Sequence, residues 1–189
     1  MTPGNLIYVI GPSGCGKDSI MLYARKHCPG SEAAFAHRYI TRPADAGGEN
    51  HVALLPDEYR ARLDRGLFAL SWDSHGNRYG VGIEIDAWLE AGLNVVVNGS
   101  RAYLPAAVCR YPDLVPVLVT LDREILRQRL IRRGRESAEE IQRRLQRAGD
   151  YAVSHPALRT IDNSGELVEA GRALLDLSRK RPARMRRAV

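Results

Sequence analysis

Lysine is nearly missing from this chain. Of 28 basic residues, only Lys17, Lys26 and Lys180 are lysines. A lysine kept inside a glycine-rich segment of so arginine-rich a sequence therefore calls for a specific explanation. Cysteine is scarce too. Cys15, Cys28 and Cys109 form no C-x-x-C pair and no metal-ligand spacing, which excludes a disulfide scaffold and a zinc module and suits a reducing cytoplasm. No apolar run approaches the length of a membrane span, and the N-terminus lacks a signal-peptide pattern, so neither a membrane nor secretion is expected. Internal repeats are absent.

An excess of one charge is also absent from the body. The formal net charge is +6, but residues 179–189 carry six of the basic residues and no acid, and the remaining basic residues equal the 22 acidic ones. A basic nucleic-acid-binding domain is therefore not expected. The tail has almost no apolar residues to bury and reads as a solvated, disordered end. Contact with RNA or another anion is its alternative use.

What remains is an ordinary globular composition. With 189 residues, 44% of them hydrophobic, the chain can build one domain with a substantial core. Strand-like runs at 6–10, 93–97, 114–121 and 159–162 alternate with helical patterns at 16–28, 122–133, 137–148 and 166–178, which predicts an α/β fold with a parallel sheet flanked by helices. Asp122 is a good helix N-cap, and Ser137 with Glu140 forms a capping-box pattern. Residues 36–83 differ. They are polar and aromatic, with a helix start at Pro56-Asp57 and a hairpin turn at His75-Gly76-Asn77. They read as a lobe inserted into a core of 1–35 and 84–178, placed to carry a second substrate.

Gly11-Pro12-Ser13-Gly14-Cys15-Gly16-Lys17 follows the first strand as a G-x-x-x-x-G-K phosphate loop. Its glycines bring backbone N–H groups close to phosphate oxygens. The helix beginning near Gly16 adds partial positive charge, and Lys17 supplies a mobile point charge. The expected nucleotide contacts from this segment are these seven residues together with Asp18 and Ser19. The loop departs from the pattern at Asp18, where Ser or Thr is usual, and this makes Asp18 the candidate Mg²⁺ ligand. A helix cap is its alternative role. Oxidation of Cys15, inside the loop, would block nucleotide binding.

Over nearly all of residues 4–178 the chain resembles the guanylate kinase group of P-loop kinases. The resemblance is carried by the loop, by Thr41-Arg42-Pro43 with Gly48-Glu49, by Leu67-Phe68 with Gly76-Asn77-Arg78-Tyr79-Gly80, and by Arg133-Gly134-x-Glu136…Glu139-x-Ile141-x-x-Arg144. The last stretch resembles the group's lid, about 133–148. The residues that read guanine do not carry over. Arg38 stands for a serine, Asp45 for a phosphate-binding arginine, Leu70 for a glutamate, Val81 for a hydroxyl residue, and Asn98 for the strand-end aspartate. A base site without those polar partners loses its discrimination.

The altered pattern resembles one branch of the group, the ribose 1,5-bisphosphate phosphokinases. Shared segments are Gly16-Lys17-Asp18-Ser19, His37 to Arg42, Ser71-Trp72 with Tyr79 to Leu89, and Val97 to Ala102. The resemblance implies ATP-dependent conversion of a small sugar phosphate, ribose 1,5-bisphosphate, to 5-phosphoribosyl 1-diphosphate in phosphonate breakdown. It implies ATP and Mg²⁺ as cofactors, acceptor contacts from Arg38, Arg42, His51, Tyr79, Asn98 and Arg101, with Arg78 converging on the same anions, and catalytic roles for Lys17, Arg133, Arg135 and Arg144. A homodimer is a further expectation. A nucleoside monophosphate kinase and a non-catalytic guanylate kinase-like binding module are the alternatives. Asn163 matches a position near the adenine, or else forms an ordinary Asx turn.

Overall fold

The computed structural model describes residues 2–44, 49, 51–134, 137–149 and 152–179. In chain order the elements are β1 (Leu6–Ile10), α1 (Lys17–His27), β2 (Ala33–Phe35), β3 (Arg38–Ile40), β4 (Val52–Ala53), α2 (Pro56–Asp64), β5 (Phe68–Ser74), β6 (Asn77–Gly82), α3 (Glu84–Glu90), β7 (Asn94–Asn98), α4 (Leu104–Arg110), β8 (Val115–Thr120), α5 (Arg123–Arg133), α6 (Ala138–Gly149), β9 (Arg159–Asp162) and α7 (Leu167–Arg179).

Five strands form a parallel sheet in the order β2-β7-β1-β8-β9. β1 and β7 are buried along their whole length, as expected of central strands covered on both faces. That is why Leu6–Ile10 and the three valines 95–97 read as continuous runs and not as alternating ones. Pro116 is tolerated in β8 because β9 pairs with that strand only from Val117 onward. One core, with Tyr8, Ile10, Leu70, Val81 and Val97, lies between the sheet and the inserted lobe. The other, with Val9, Ile20, Val96, Val119 and Leu174, lies under α1 and α7.

The lobe is a second sheet, β4-β3-β6-β5. The β5–β6 hairpin turns through His75 (φ 49°) and Gly76 (φ 74°), the paired positive φ of a two-residue turn. Between α5 and α6, Leu126, Leu130, Ile141 and Leu145 form a small core of their own. At about 1.5–3 kcal/mol per buried aliphatic side chain, this cluster holds the two helices together as a unit.

The expected caps form. The Asp122 carboxylate accepts from the Glu124 and Ile125 amides at 2.7 and 3.2 Å. Ser137 and Glu140 exchange bonds of 2.9 and 3.2 Å. Two expectations change. The seven-residue helices α3 and α4 and the strands β2, β3 and β4 were not anticipated, because two turns or three residues carry too little periodicity to detect. Arg179 belongs to α7 and pairs with Glu32 at 2.7 Å, so it is not part of a disordered tail; residues 180–189 lie outside the described residues. Among the described residues no helix is long and apolar enough to cross a membrane.

Candidate active site

β1 delivers the chain to the sheet's carboxyl edge, where the phosphate loop turns into α1. Gly16 is required there twice over. Its φ of 88° is left-handed, and a Cβ would lie 2.4 Å from Asn163 Nδ2. The loop is packed from both sides. A Cβ on Gly14 would lie 2.9 Å from the Leu130 side chain, so the small α5–α6 core bears directly on it. Lys17 Nζ donates to the carbonyls of Gly11 and Pro12 at 2.9 and 3.1 Å. Pro12 is buried, whereas Ser19 is exposed on the first turn of α1.

Asn163 is 2% exposed and donates from Nδ2 to the Cys15 carbonyl at 2.7 Å. Its place is against the loop backbone, as a brace. Arg129 of α5, which the sequence did not single out, donates to the Asn163 carbonyl at 2.9 Å. Cys15 is fully buried. This corrects the oxidation expectation, since an oxidant has no access to the thiol in the folded protein.

Asp18 and Asn98 meet beside the loop. Asn98 Nδ2 donates to Asp18 Oδ1 at 2.7 Å. Asn98 is 4% exposed, and its Oδ1 is buried with no partner. Burial, and secondarily the nearby Glu49 carboxylate, push the Asp18 pKa above its ordinary value, opposed by Lys17, Arg38 and Asn98. The pair offers two hard oxygen donors of the kind that bind Mg²⁺. Among the described residues no three His, Cys, Asp or Glu side chains form a metal cluster, so a cation here would need further ligands from outside the protein.

Across the cleft, the lobe presents its cations on one carboxylate. Arg38 forks onto both oxygens of Glu49 through Nε and Nη2, and Arg42 Nη2 lies 3.8 Å from the same group. Arg42 Nε is buried without a partner, an unspent donor beside an ion pair. His51 is buried among this group, with Nδ1 3.4 Å from Arg42 Nη2 and Nε2 3.2 Å from the Arg42 carbonyl. It braces Arg42. The Arg38 guanidinium lies 5.1 Å from the Tyr79 ring centre, over a ring that is 8% exposed. Leu70 and Val81 are 1% and 0% exposed, so apolar packing fills both positions. Glu49 was missed as a site residue although it lies in a motif quoted from the sequence.

Two expected arginines join other elements. Arg101 Nη1 donates to the Ala148 carbonyl of α6 at 3.1 Å, tying the loop after β7 to that helix. Arg144 Nη1 donates to Ser13 Oγ at 2.5 Å, tying the same helix to the phosphate loop. Arg133 is exposed on the last turn of α5. Arg78 corrects an expectation. Its guanidinium is 3.9 Å from Asp73 and lines a surface hollow with Tyr59 and Trp72, apart from the Arg38–Glu49 group. Asp45, Gly48, Arg135 and Glu136 lie outside the described residues.

Comparison with known proteins points one way. The ribose 1,5-bisphosphate phosphokinase PhnN of Desulfomicrobium baculatum is 60% identical over 173 residues, 91% of this chain and 92% of that protein. The protein of the same name from Burkholderia mallei is 57% identical over 178 residues, 94% and 96% of the two chains. Guanylate kinase from Anaplasma phagocytophilum shares the fold, with a TM-score of 0.70 at 14% identity over 94% of this chain and 86% of that one. No family model matches the chain.

Proposed function

The chain belongs to the ribose 1,5-bisphosphate phosphokinase family, and from that premise we propose that it transfers the γ-phosphoryl group of ATP to ribose 1,5-bisphosphate, giving ADP and 5-phosphoribosyl 1-diphosphate. It is a phosphotransferase on a guanylate kinase-like fold. The observation that carries the choice of acceptor is the 60% identity over 91% of the chain. The buried Leu70 and Val81 support it by offering no polar partner to a base edge.

The acceptor atom is an oxygen of the phosphate on carbon 1, already ionised at neutral pH, so the reaction needs no general base. That oxygen forms a bond to the γ-phosphorus while the bond from the γ-phosphorus to the β–γ bridging oxygen breaks. Catalysis then reduces to alignment and charge neutralisation. Lys17 and the loop amides hold the donor phosphates. Arg38 and Arg42 engage the sugar phosphate from the lobe, with Glu49 and His51 setting their orientation. Tyr79 and Arg101 complete the acceptor side. Arg144, beside Ser13, faces the transferring group from the lid, and Arg133 and Arg135 belong to the same lid. Excluding water from this cleft limits hydrolysis of ATP. Asp18 and Asn98 Oδ1 would hold Mg²⁺, which when bound neutralises phosphate charge. Residues 1–178 act as one catalytic unit, with 36–83 as the acceptor lobe and 133–148 as the lid.

The test is ADP release with ribose 1,5-bisphosphate, GMP and other nucleoside monophosphates offered in turn. Turnover is expected with the sugar bisphosphate. Turnover with GMP and none with the sugar would overturn the reading.

A further inference from the structure

Tyr8 is the one polar side chain in the buried run of β1, and it is fully buried. Its ring belongs to the core beneath the acceptor lobe, with Ile40, Leu70 and Val81. Its hydroxyl leaves that core to meet the loop after β7. It accepts from the Ser100 amide at 3.0 Å and donates to the Ser100 carbonyl at 3.3 Å. One residue earlier, the Gly99 amide donates to the Val9 carbonyl at 2.8 Å. A Cβ on Gly99 would lie 2.2 Å from Cζ of the Tyr8 ring, so only glycine lets the loop lie this close. Asn98, which holds Asp18, precedes this fastening, and Arg101, which reaches α6, follows it.

We infer that Tyr8 is a positioning residue for the acceptor side of the reaction, acting through the Asn98-Gly99-Ser100-Arg101 loop. A phenol can donate and accept at once, which is what one amide and one carbonyl of the same residue require. Burial raises the Tyr8 pKa, so the hydroxyl keeps both roles across the working pH range. Phenylalanine would fill the core equally well but would strand both Ser100 groups. Because β1 also ends in the phosphate loop, Tyr8 ties the acceptor loop to the strand that places the donor.

The inference rests on ribose 1,5-bisphosphate being the acceptor, and Tyr8→Phe tests it. The loss of two part-buried hydrogen bonds is expected to lower kcat/KM for the sugar bisphosphate about tenfold, leave the KM for ATP nearly unchanged, and speed amide exchange at residues 98–101 but not in the phosphate loop. Should Tyr8→Phe not fold, exchange of the Ser100 amide in the wild-type protein decides the matter: slow exchange supports the fastening, and exchange as fast as in an open loop overturns it. A lowered Tm with acceptor kinetics and exchange at 98–101 unchanged would make Tyr8 a core filler and overturn the inference. If the wild-type protein does not turn over the sugar bisphosphate, the acceptor reading fails, and the exchange measurement still decides the role of Tyr8.

Discussion

Asn98 at the end of β7 donates its side-chain amide to the Asp18 carboxylate at 2.7 Å, joining positions 80 residues apart. Both positions depart from the guanylate kinase-like pattern that the sequence resembles, Asp18 standing for a loop hydroxyl and Asn98 for a strand-end carboxylate. Their contact suggests an exchange, in which the one carboxylate of the pair sits on the loop side instead of the strand side. Asp18→Ser should cut turnover about a hundredfold and move the Mg²⁺ dependence to higher concentration, since a neutral pair holds a hard cation poorly. Asp18→Ser combined with Asn98→Asp should recover part of both. A Mg²⁺ titration of initial rates measures this. An unchanged Mg²⁺ dependence in Asp18→Ser would rule the exchange out.

The same carboxylate should destabilise the fold. Burial and Glu49 raise the Asp18 pKa above the ordinary aspartate value. Between that value and its raised folded value, the folded state binds more protons than the unfolded state, so stability falls as pH rises through the window and stays lower above it. Asp18→Asn keeps an oxygen for Asn98 Nδ2 but removes the charge. It should raise Tm at neutral pH by a few degrees while abolishing most activity. The gain should shrink as pH is lowered toward the ordinary aspartate range. A variant less stable than wild type at neutral pH, or a gain independent of pH, would contradict the assignment.

Arg144 reaches the phosphate loop through Ser13 at 2.5 Å from a helix whose core, Ile141 and Leu145, packs on α5. Arg144→Ala should lower kcat about a hundredfold, the usual cost of removing one preorganised donor from a transferring group, with the KM for ATP changed no more than a few-fold. Arg144→Lys should recover little, because a point charge does not replace a fork. Steady-state kinetics under saturating acceptor distinguish this from a loss of ATP affinity, which would place Arg144 on the donor alone.

The sequence and the structure agree where local chemistry is strong. β1 and the phosphate loop were legible because a buried parallel strand is continuously apolar and G-x-x-x-x-G-K has few other uses. Asp122 and the Ser137–Glu140 box were legible because capping is decided within four residues. Tyr8 and Glu49 were not assigned roles, since the partners of each are set by tertiary structure and not by a local pattern: Ser100 in one case, Arg38 and Arg42 in the other. Arg78 and Arg38 are both arginines flanking motif residues, and only the β3–β6 register and the partners Asp73 and Glu49 separate them. The burial of Cys15 was likewise invisible, because the loop that exposes amides to a ligand packs its thiol inward.

Asn163 shows how a loop can depend on a residue far along the chain. Its Nδ2 holds the Cys15 carbonyl at 2.7 Å, and Gly16 closes against the same nitrogen. Asn163→Ala would leave that carbonyl unpaired in a buried setting, a loss of about 1–3 kcal/mol, and would loosen the backbone that cradles the donor phosphates. The KM for ATP should rise about tenfold, the Tm should fall by several degrees, and the acceptor KM at saturating ATP should stay near its wild-type value. Asn163→Asp should do no better, because an ionised carboxylate presents no donor to Cys15 and sets a negative charge beside the phosphates. Measuring nucleotide affinity by fluorescence titration alongside Tm separates the two effects. A fall in Tm with unchanged nucleotide affinity would reduce Asn163 to a fold residue, whereas a matched loss identifies it as the brace of the donor site.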